Sequence, residues 1–130
     1  MKVLFIGGTG NISTAVSRLA LEKGIDLYHL NRGSTKVRDL KVKTILGDIN
    51  NPDQLGELQK HEWDVVVNWI AMTPADMDRD IALFRGKTRQ YIFISSASCY
   101  QTPLRYPIIT ESTPLKNSLW DYSNNKIQCE

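Results

Sequence analysis

A glycine-rich turn between an apolar strand and a helix constrains this chain most. Residues 2–6 (KVLFI) form a short apolar run, and residues 7–13 (GGTGNIS) follow it directly. Apolar residues then recur at the spacing of a helix, and Gly24 comes where that helix is expected to end. The recurring residues are Ile12, Ala15, Val16, Leu19 and Ala20. A strand, a tight glycine turn and a helix in this order are typical of the start of a parallel α/β sheet.

Small residues occupy the three positions of the turn that need them: Gly7, Gly10 and Ser13. One glycine reverses the chain with an unusual φ, a second lets the backbone approach a pyrophosphate, and a small third residue lets the helix pack on its strand. The anion is expected at the amino end of the helix, near the backbone of Asn11 and Ile12. The turn therefore predicts dinucleotide binding, and the alternative is a turn that uses glycine for geometry alone.

Further apolar runs predict the rest of the fold. We expect strands over 25–30, 42–46, 65–70 and 91–94, and helical or partly helical segments over 52–60 and 75–85. Strands that alternate with helices, without strict alternation of apolar and polar residues, indicate a parallel sheet covered on both faces. We therefore predict an α/β fold of the Rossmann type, a doubly wound sheet with strand order 3-2-1-4-5 in three layers. Residues 101–117, which include three prolines, are expected to form a long loop.

Composition narrows the class of protein. A chain of 130 residues with 42% hydrophobic content suits one compact domain over 1–130, and a net charge of +2 is too small to imply a nucleic acid or a membrane surface as partner. No apolar run reaches the length of a membrane-spanning helix and a strand begins at Lys2, so we expect a cytoplasmic protein without a leader. The two cysteines, Cys99 and Cys129, and the two histidines, His29 and His61, are not spaced as metal ligands. We therefore predict no metal site.

The end of the second strand bears on the choice of cofactor. In this fold an acidic residue usually holds the adenosine ribose there, but this chain has Asn31 followed by Arg32. Without that carboxylate a 2′-phosphate meets no repulsion, and the Arg32 guanidinium can bind it, so the sequence favours NADP and leaves NAD open. The alternative is a solvated basic face made of Arg32, Lys36, Arg38, Lys41 and Lys43.

Asp48 and Ile49 close the third strand and are a second candidate contact for the cofactor. The Asp48 carboxylate is placed to accept a hydrogen bond from the adenine amino group. A turn or a helix cap is the alternative role for Asp48.

Several motifs in one order carry a family resemblance. They are residues 7–13, Gly47-Asp48, residues 94–100 (ISSASCY), residues 111–114 (ESTP) and Tyr122-x-x-x-Lys126. With these motifs the chain resembles the extended short-chain dehydrogenase/reductase family, in particular the NAD-dependent epimerase/dehydratase group that acts on nucleotide sugars. The resemblance covers essentially the whole chain.

The resemblance implies the catalytic residues. Tyr122 would transfer the proton, and Ser96 would hold the reacting hydroxyl or carbonyl. Lys126 would activate Tyr122 and bind the nicotinamide ribose. The family motif selects Ser96 rather than Ser95 or Ser98. The residue types suit the chemistry, because a phenol with an ordinary pKa of about 10 is a poor base at neutral pH and a neighbouring ammonium favours the phenolate.

The expected reaction removes a proton from a sugar hydroxyl while a hydride passes to the nicotinamide, and its reversal gives reduction or epimerisation. The resemblance also implies that Asn68 and Ala71 line the cofactor, although Asn68 is equally compatible with a buried residue satisfied by backbone. We expect a nucleotide sugar or another small molecule as substrate and leave a homodimer open.

Three departures from the family pattern matter. Ser13 replaces the third glycine, Asn31 replaces the acid, and the connection over 71–90 is short. The Asn31-Arg32-Gly33 turn and the short connection also resemble the chloroplast stem-loop-binding proteins, which bind RNA on a related scaffold. The second hypothesis is therefore an NADP-sensing or RNA-binding module without turnover, with RNA contacts over 32–43.

Family members continue beyond the Tyr-Lys helix into a sixth strand and a lobe that binds the nucleotide sugar. We therefore expect this chain to be the N-terminal, dinucleotide-binding part of such an enzyme, truncated before the substrate lobe. A polypeptide that stopped at Glu130 is expected to bind its cofactor weakly and to turn over little.

Overall fold

The computed structural model describes residues 1–34, 40–105 and 107–130. Their contacts divide into two compact units. The first contains Met1–Ile70 and Phe84–Phe93, and the second contains Ala71–Leu83 and Ile94–Glu130. Within these described ranges, no helix has both the length and the apolar character that a membrane span requires. The single domain expected over 1–130 stays a prediction.

The first unit is built on a five-stranded parallel sheet in the order β3-β2-β1-β4-β5. The strands are β1 (Lys2–Ile6), β2 (Asp26–Asn31), β3 (Lys43–Leu46), β4 (Trp63–Asn68) and β5 (Thr88–Phe93). The predicted Rossmann-type fold and strand order are confirmed. The largest boundary error is at β5, which begins three residues before the predicted strand, because residues 88–90 are polar and carry no apolar signal.

The middle of the sheet is its core. Four consecutive residues of β1, from Val3 to Ile6, are each at most 5% exposed, so both faces of this strand are covered. β1 pairs with β2 on one side and β4 on the other, and the chain changes its direction of winding between β1 and β4. In open parallel sheets, ligands bind beyond the carboxyl ends of the strands at such a switch point.

The first helix forms as predicted but buries a different face. α1 spans Asn11–Glu22, and Gly24 follows with a φ of +71°, which confirms it as the stop signal. The buried residues are Ser13, Ser17 and Ala20, whereas Ile12 is 71% exposed. The apolar residues therefore marked the helix correctly but not the face that packs.

The segment over 52–60 is partly helical, as predicted. The chain forms a short 3₁₀ turn over Pro52–Gln54 and a one-turn helix, α2 (Gly56–Gln59). The Gln54 side chain turns back and accepts a hydrogen bond from the Asp48 N–H at 2.8 Å, and Gly56 is a poor residue for a helix interior.

The second unit contains most of α3 (Pro74–Phe84), a 3₁₀ turn over Ala97–Cys99 and α4 (Asp121–Cys129). Between the last two, the predicted loop is irregular in its described residues. An antiparallel bridge between Tyr100 and Leu115 holds the two ends of this loop together. α4 carries the Tyr122-x-x-x-Lys126 motif on a helix, as the spacing requires.

Candidate functional site

The glycine turn of the first unit has the geometry that its sequence predicts. Gly7 has a φ of +82°, and its N–H bonds to the Leu30 carbonyl at 3.1 Å, which extends the β1–β2 pairing by one residue. A side chain at Gly7 would overlap the Cγ2 atom of Ile70. Position 7 therefore requires glycine both for its φ and for the close approach of Ile70.

The amino end of α1 is open to an anion. Gly10 precedes the helix, no side chain caps it, and the first turn contains no acidic residue. Asn11 and Ile12 are exposed in this first turn, where backbone N–H groups have no partner inside the helix. This arrangement suits a negatively charged group such as a diphosphate.

Ser13 does more than keep the third position of the turn small. Its Oγ accepts a hydrogen bond from the Gly10 N–H at 2.9 Å and lies 3.3 Å from the carbonyl oxygens of Gly7 and Gly10. Since a hydroxyl both accepts and donates, Ser13 fastens the turn to the helix. The departure from a third glycine is thus compensated by hydrogen bonds.

The buried His29 ring packs against the glycine turn at Gly8. The ring is 1% exposed, stacks on Phe5 with centroids 5.8 Å apart, and lies where a Cβ on Gly8 would be only 2.5 Å away. The Ser17 hydroxyl donates to the Ser13 carbonyl at 2.7 Å, so at 2.8 Å it accepts from His29 Nε2–H. His29 is therefore protonated on Nε2. Burial lowers its pKa from 6.5 to about 4, so the ring is neutral at pH 7. None of the sequence motifs includes His29.

Acid is expected to destabilise the first unit through His29. Because the folded-state pKa lies below the ordinary value, the unfolded chain binds a proton more readily between these two values. The contribution to stability is complete above about pH 6.5 and is lost as the pH falls towards 4, by about 3 kcal/mol in total. Denaturant unfolding at pH 7, 5.5 and 4.5 measures this loss.

A histidine substitution identifies the source of that pH dependence. His29→Gln removes the titrating ring and keeps a donor for Ser17, so the loss of stability between pH 7 and 4.5 should shrink. His61→Gln, which removes the other histidine of the chain, is the matched control and should lose as much stability between pH 7 and 4.5 as the wild type. An equal pH dependence in wild type and His29→Gln would contradict the assignment.

The end of β2 shows how Asn31 is used. Its Oδ1 accepts a hydrogen bond from the Gly33 N–H at 3.0 Å, and Gly33 has a φ of +74°. The Asn31 side chain therefore closes a turn, and Arg32 is exposed beside it. Of the basic residues that follow, Lys36 and Arg38 lie outside the described residues. Lys43 donates to the Asp26 carboxylate at 2.7 Å, which reduces its availability to another ligand.

Structural roles account for part of what Asp48, Ile49 and Asn68 do. Asp48 Oδ1 accepts from the Asn50 N–H at 2.9 Å, the turn role that the sequence offered as an alternative. Ile49 is a core residue, 4% exposed, so only its backbone is suited to contact a ligand. Asn68 is fully buried and its Oδ1 accepts from the Ile70 N–H at 2.7 Å, as expected for a buried residue that the backbone satisfies. Their roles as cofactor ligands stay predictions.

All three predicted catalytic residues lie in the second unit. Lys126 is 4% exposed, and its Nζ donates to the carbonyl oxygens of Ala71 at 2.7 Å and Ile94 at 2.8 Å. Its Nζ lies 5.8 Å from the centroid of the Tyr122 ring. Burial lowers the pKa of Lys126, and the nearby acidic groups, Cys129 foremost, oppose this shift. Ala71, predicted as a cofactor contact, thus also holds the lysine, which the sequence did not indicate.

Ser96 precedes the 3₁₀ turn and belongs to a chain of hydroxyl groups. Its Oγ accepts from the Ser98 N–H at 3.2 Å and lies 2.8 Å from Ser98 Oγ. Ser98 Oγ in turn accepts from Ser123 Oγ at 2.9 Å. Ser123 is the residue that follows Tyr122, so this chain connects the turn that carries Ser96 to the helix that carries Tyr122.

The model of the NAD dependent epimerase/dehydratase family matches residues 3–130. The chain belongs to this family. The chain is 29% identical to the UDP-glucose 4-epimerase of Lactobacillus helveticus over an alignment of 151 positions. The alignment covers 100% of this chain and 45% of that relative. Since the alignment is longer than the chain, that relative carries extra residues within the matched region. The chain spans about half the length of the relatives it matches.

Solved structures of epimerase/dehydratase family enzymes share the fold. The match to the UDP-glucose 4-epimerase of Bifidobacterium longum, in complex with NAD⁺ and UDP, covers 99% of this chain and 47% of that enzyme, with a TM-score of 0.84 and 20% identity. The match to the UDP-Glc/GlcNAc 4-epimerase of Campylobacter jejuni covers 98% of this chain and 46% of that enzyme, with a TM-score of 0.82 and 19% identity. The match to the dTDP-glucose 4,6-dehydratase of Bacillus anthracis, in complex with NAD, covers 99% of this chain and 48% of that enzyme, with a TM-score of 0.79 and 20% identity.

Proposed function

We propose that this chain is the dinucleotide-binding and proton-transferring part of an NAD(P)-dependent nucleotide-sugar epimerase, dehydratase or reductase. The observation that carries the proposal is the buried Lys126 ammonium, held by two carbonyl oxygens beside the Tyr122 ring. Keeping a cation out of water is costly, so its presence on the same helical face as a tyrosine favours a functional role over a structural one. Membership of the epimerase/dehydratase family agrees with this function.

The residues present fit a nicotinamide dinucleotide. The open amino end of α1, with the backbone at Gly7, Gly10, Asn11 and Ile12, suits the diphosphate. We assign the adenosine half to residues at or just beyond the ends of β2 and β3, which are Asn31, Arg32, Asp48 and Ile49. We assign the nicotinamide half to Asn68 at the end of β4, Ala71 beyond it and Lys126 in α4. When bound, this cofactor supplies a reversible hydride acceptor.

The protein's own residues move the proton and hold the substrate oxygen. Tyr122 takes the proton from the sugar hydroxyl as general base and returns it as general acid in the reverse direction. The Lys126 ammonium, fixed by Ala71 and Ile94, activates Tyr122 by placing a positive charge beside its ring and does not need to move. Ser96 donates a hydrogen bond to the same substrate oxygen and orients it.

Turnover by the full-length protein tests the proposal. Incubation of UDP-galactose with NAD⁺ or NADP⁺ should form UDP-glucose, and dTDP-glucose is the probe for a dehydratase, with products separated by anion-exchange chromatography. Conversion of either nucleotide sugar supports the proposal. No conversion of either sugar with NAD⁺ or NADP⁺, by a protein that binds one of these dinucleotides tightly, would contradict it.

The choice of cofactor is proposed to depend on Arg32. A charge-assisted bond from its guanidinium to the 2′-phosphate is expected to make NADP⁺ bind about tenfold more tightly than NAD⁺, and Arg32→Ala should remove this difference. Calorimetric titration of both dinucleotides measures it. Lys41→Ala is the matched control, because Lys41 is an exposed cation of the same segment and should leave the ratio unchanged. Equal affinities in the wild type would remove the preference for NADP.

The RNA-binding alternative is less well supported, because Lys43 is paired with Asp26 in the segment on which it depends. A salt-dependent RNA mobility shift that disappears when the charges over 32–43 are reversed would favour it. The cytoplasmic location and the homodimer stay predictions.

A further inference from the structure

We propose that Ser98 and Ser123 are positioning residues that aim the hydroxyl hydrogen of Ser96 at the substrate oxygen. The inference rests on the proposed function, in which Ser96 donates a hydrogen bond to the reacting hydroxyl or carbonyl. It concerns two serines to which neither the sequence motifs nor the proposed mechanism gives a role.

The hydrogen bonds form one connected path. Ser123 Oγ donates to Ser98 Oγ at 2.9 Å, and Ser98 Oγ lies 2.8 Å from Ser96 Oγ. Ser96 Oγ also accepts the backbone N–H of Ser98 at 3.2 Å. A hydroxyl has one hydrogen to donate and two lone pairs to accept with, so these bonds restrict which way each hydrogen points.

The bond between Ser96 and Ser98 has two possible directions, because either hydroxyl can donate. If Ser98 donates, both lone pairs of Ser96 are used and the Ser96 hydrogen is left for a further acceptor. If Ser96 donates, the Ser98 oxygen accepts from both Ser96 and Ser123, and Ser96 has no hydrogen left for a substrate. Because Ser96 donates to the substrate oxygen in the proposed mechanism, the path runs from Ser123 through Ser98 to Ser96, and each bond polarises the next.

Both positioning residues are themselves fixed. Ser123 is fully buried in α4, and its carbonyl oxygen lies 3.8 Å from the Cys99 Sγ. The Ser98 carbonyl accepts from Asn117 Nδ2 at 2.8 Å. Since Ser123 directly follows Tyr122, the path links the proton-transferring helix to the residue that holds the substrate oxygen.

Substitution of Ser98 in the full-length protein tests the proposal. Ser98→Ala should lower kcat with UDP-galactose by about tenfold and leave KM nearly unchanged, because a less ordered Ser96 hydrogen weakens the bond that matters most in the transition state. Ser98→Thr keeps the hydroxyl and should restore most of the rate. In a Ser96→Ala background, Ser98→Ala should have no further effect, because its target is gone.

A readout without turnover checks the path itself. Ser98→Ala and Ser123→Ala should shift the midpoint of thermal unfolding by less together than the sum of the single shifts, as for residues that share a hydrogen bond. Ser95→Ala is the matched control for turnover, because Ser95 lies in the same segment but outside the path, next to Glu130 and Cys99.

The outcomes separate this inference from the proposed function. A wild-type kcat in Ser98→Ala, or an equal loss in the Ser96→Ala background, would overturn the positioning role while Tyr122→Phe still abolishes turnover. If Tyr122→Phe and Ser96→Ala are both fully active, the proposed function fails and the positioning role fails with it.

Discussion

Tyr122→Phe in the full-length protein is expected to lower kcat by about a hundredfold to ten-thousandfold, the range in which general acid–base groups contribute. The substitution removes only the phenolic oxygen, which in the proposed mechanism takes and returns the substrate proton. The ring would still pack beside Trp120, whose centroid is 4.9 Å away, so the helix and the cofactor affinity should be unaffected. Initial rates with UDP-galactose and a calorimetric titration with NAD⁺ measure the two quantities separately.

Tyr100→Phe is the matched control for this experiment. Tyr100 lies in the same structural unit and is half-buried, but its phenol has no proposed role. It should keep its rate and its affinity for NAD⁺. Wild-type turnover in Tyr122→Phe would contradict the enzyme hypothesis, whereas loss of both turnover and NAD⁺ binding would point to a damaged fold rather than a missing acid–base group.

The catalytic motif could be predicted from the sequence because it is local. Tyr122 and Lys126 are one helical turn apart, and that spacing alone places them on one face. The groups that hold the Lys126 ammonium are far along the chain, since Ala71 is 55 residues away and Ile94 is 32. Carbonyl oxygens leave no signal in a sequence, so these contacts could only come from the structure. The path from Ser123 to Ser96 was hidden for the same reason, because 25 residues separate Ser123 from Ser98.

Helix α1 shows a different limit of sequence analysis. Its apolar residues recur at the right spacing for a helix, yet Ser13 and Ser17 face inward and Ile12 and Leu19 are more than half exposed. The reason lies in β2, where the buried His29 ring needs a polar partner and Ser17 supplies it at 2.8 Å. A pattern of apolar residues cannot reveal a buried face that a histidine on a neighbouring strand makes polar.

Gly7→Ala is expected to reduce the free energy of unfolding by about 2–5 kcal/mol, the sum of a left-handed backbone for a residue with a Cβ and of overpacking. Gly7 has a φ of +82°, and its added methyl group would overlap Ile70 Cγ2. Because any relief must shift the turn that precedes α1, the affinity for NAD⁺ should fall as well. Urea unfolding and a dinucleotide titration on the same preparation measure both effects.

Gly24→Ala separates the two physical causes. Gly24 has a similar φ of +71°, but a Cβ there meets no atom within 4 Å among the described residues, so only the backbone cost of about 1–2 kcal/mol applies. The difference between the two variants therefore measures the overlap with Ile70. Adding Ile70→Ala to Gly7→Ala should recover that difference and leave the backbone cost in place. Equal destabilisation by Gly7→Ala and Gly24→Ala, with no recovery on removal of Ile70, would show that close approach does not constrain this position.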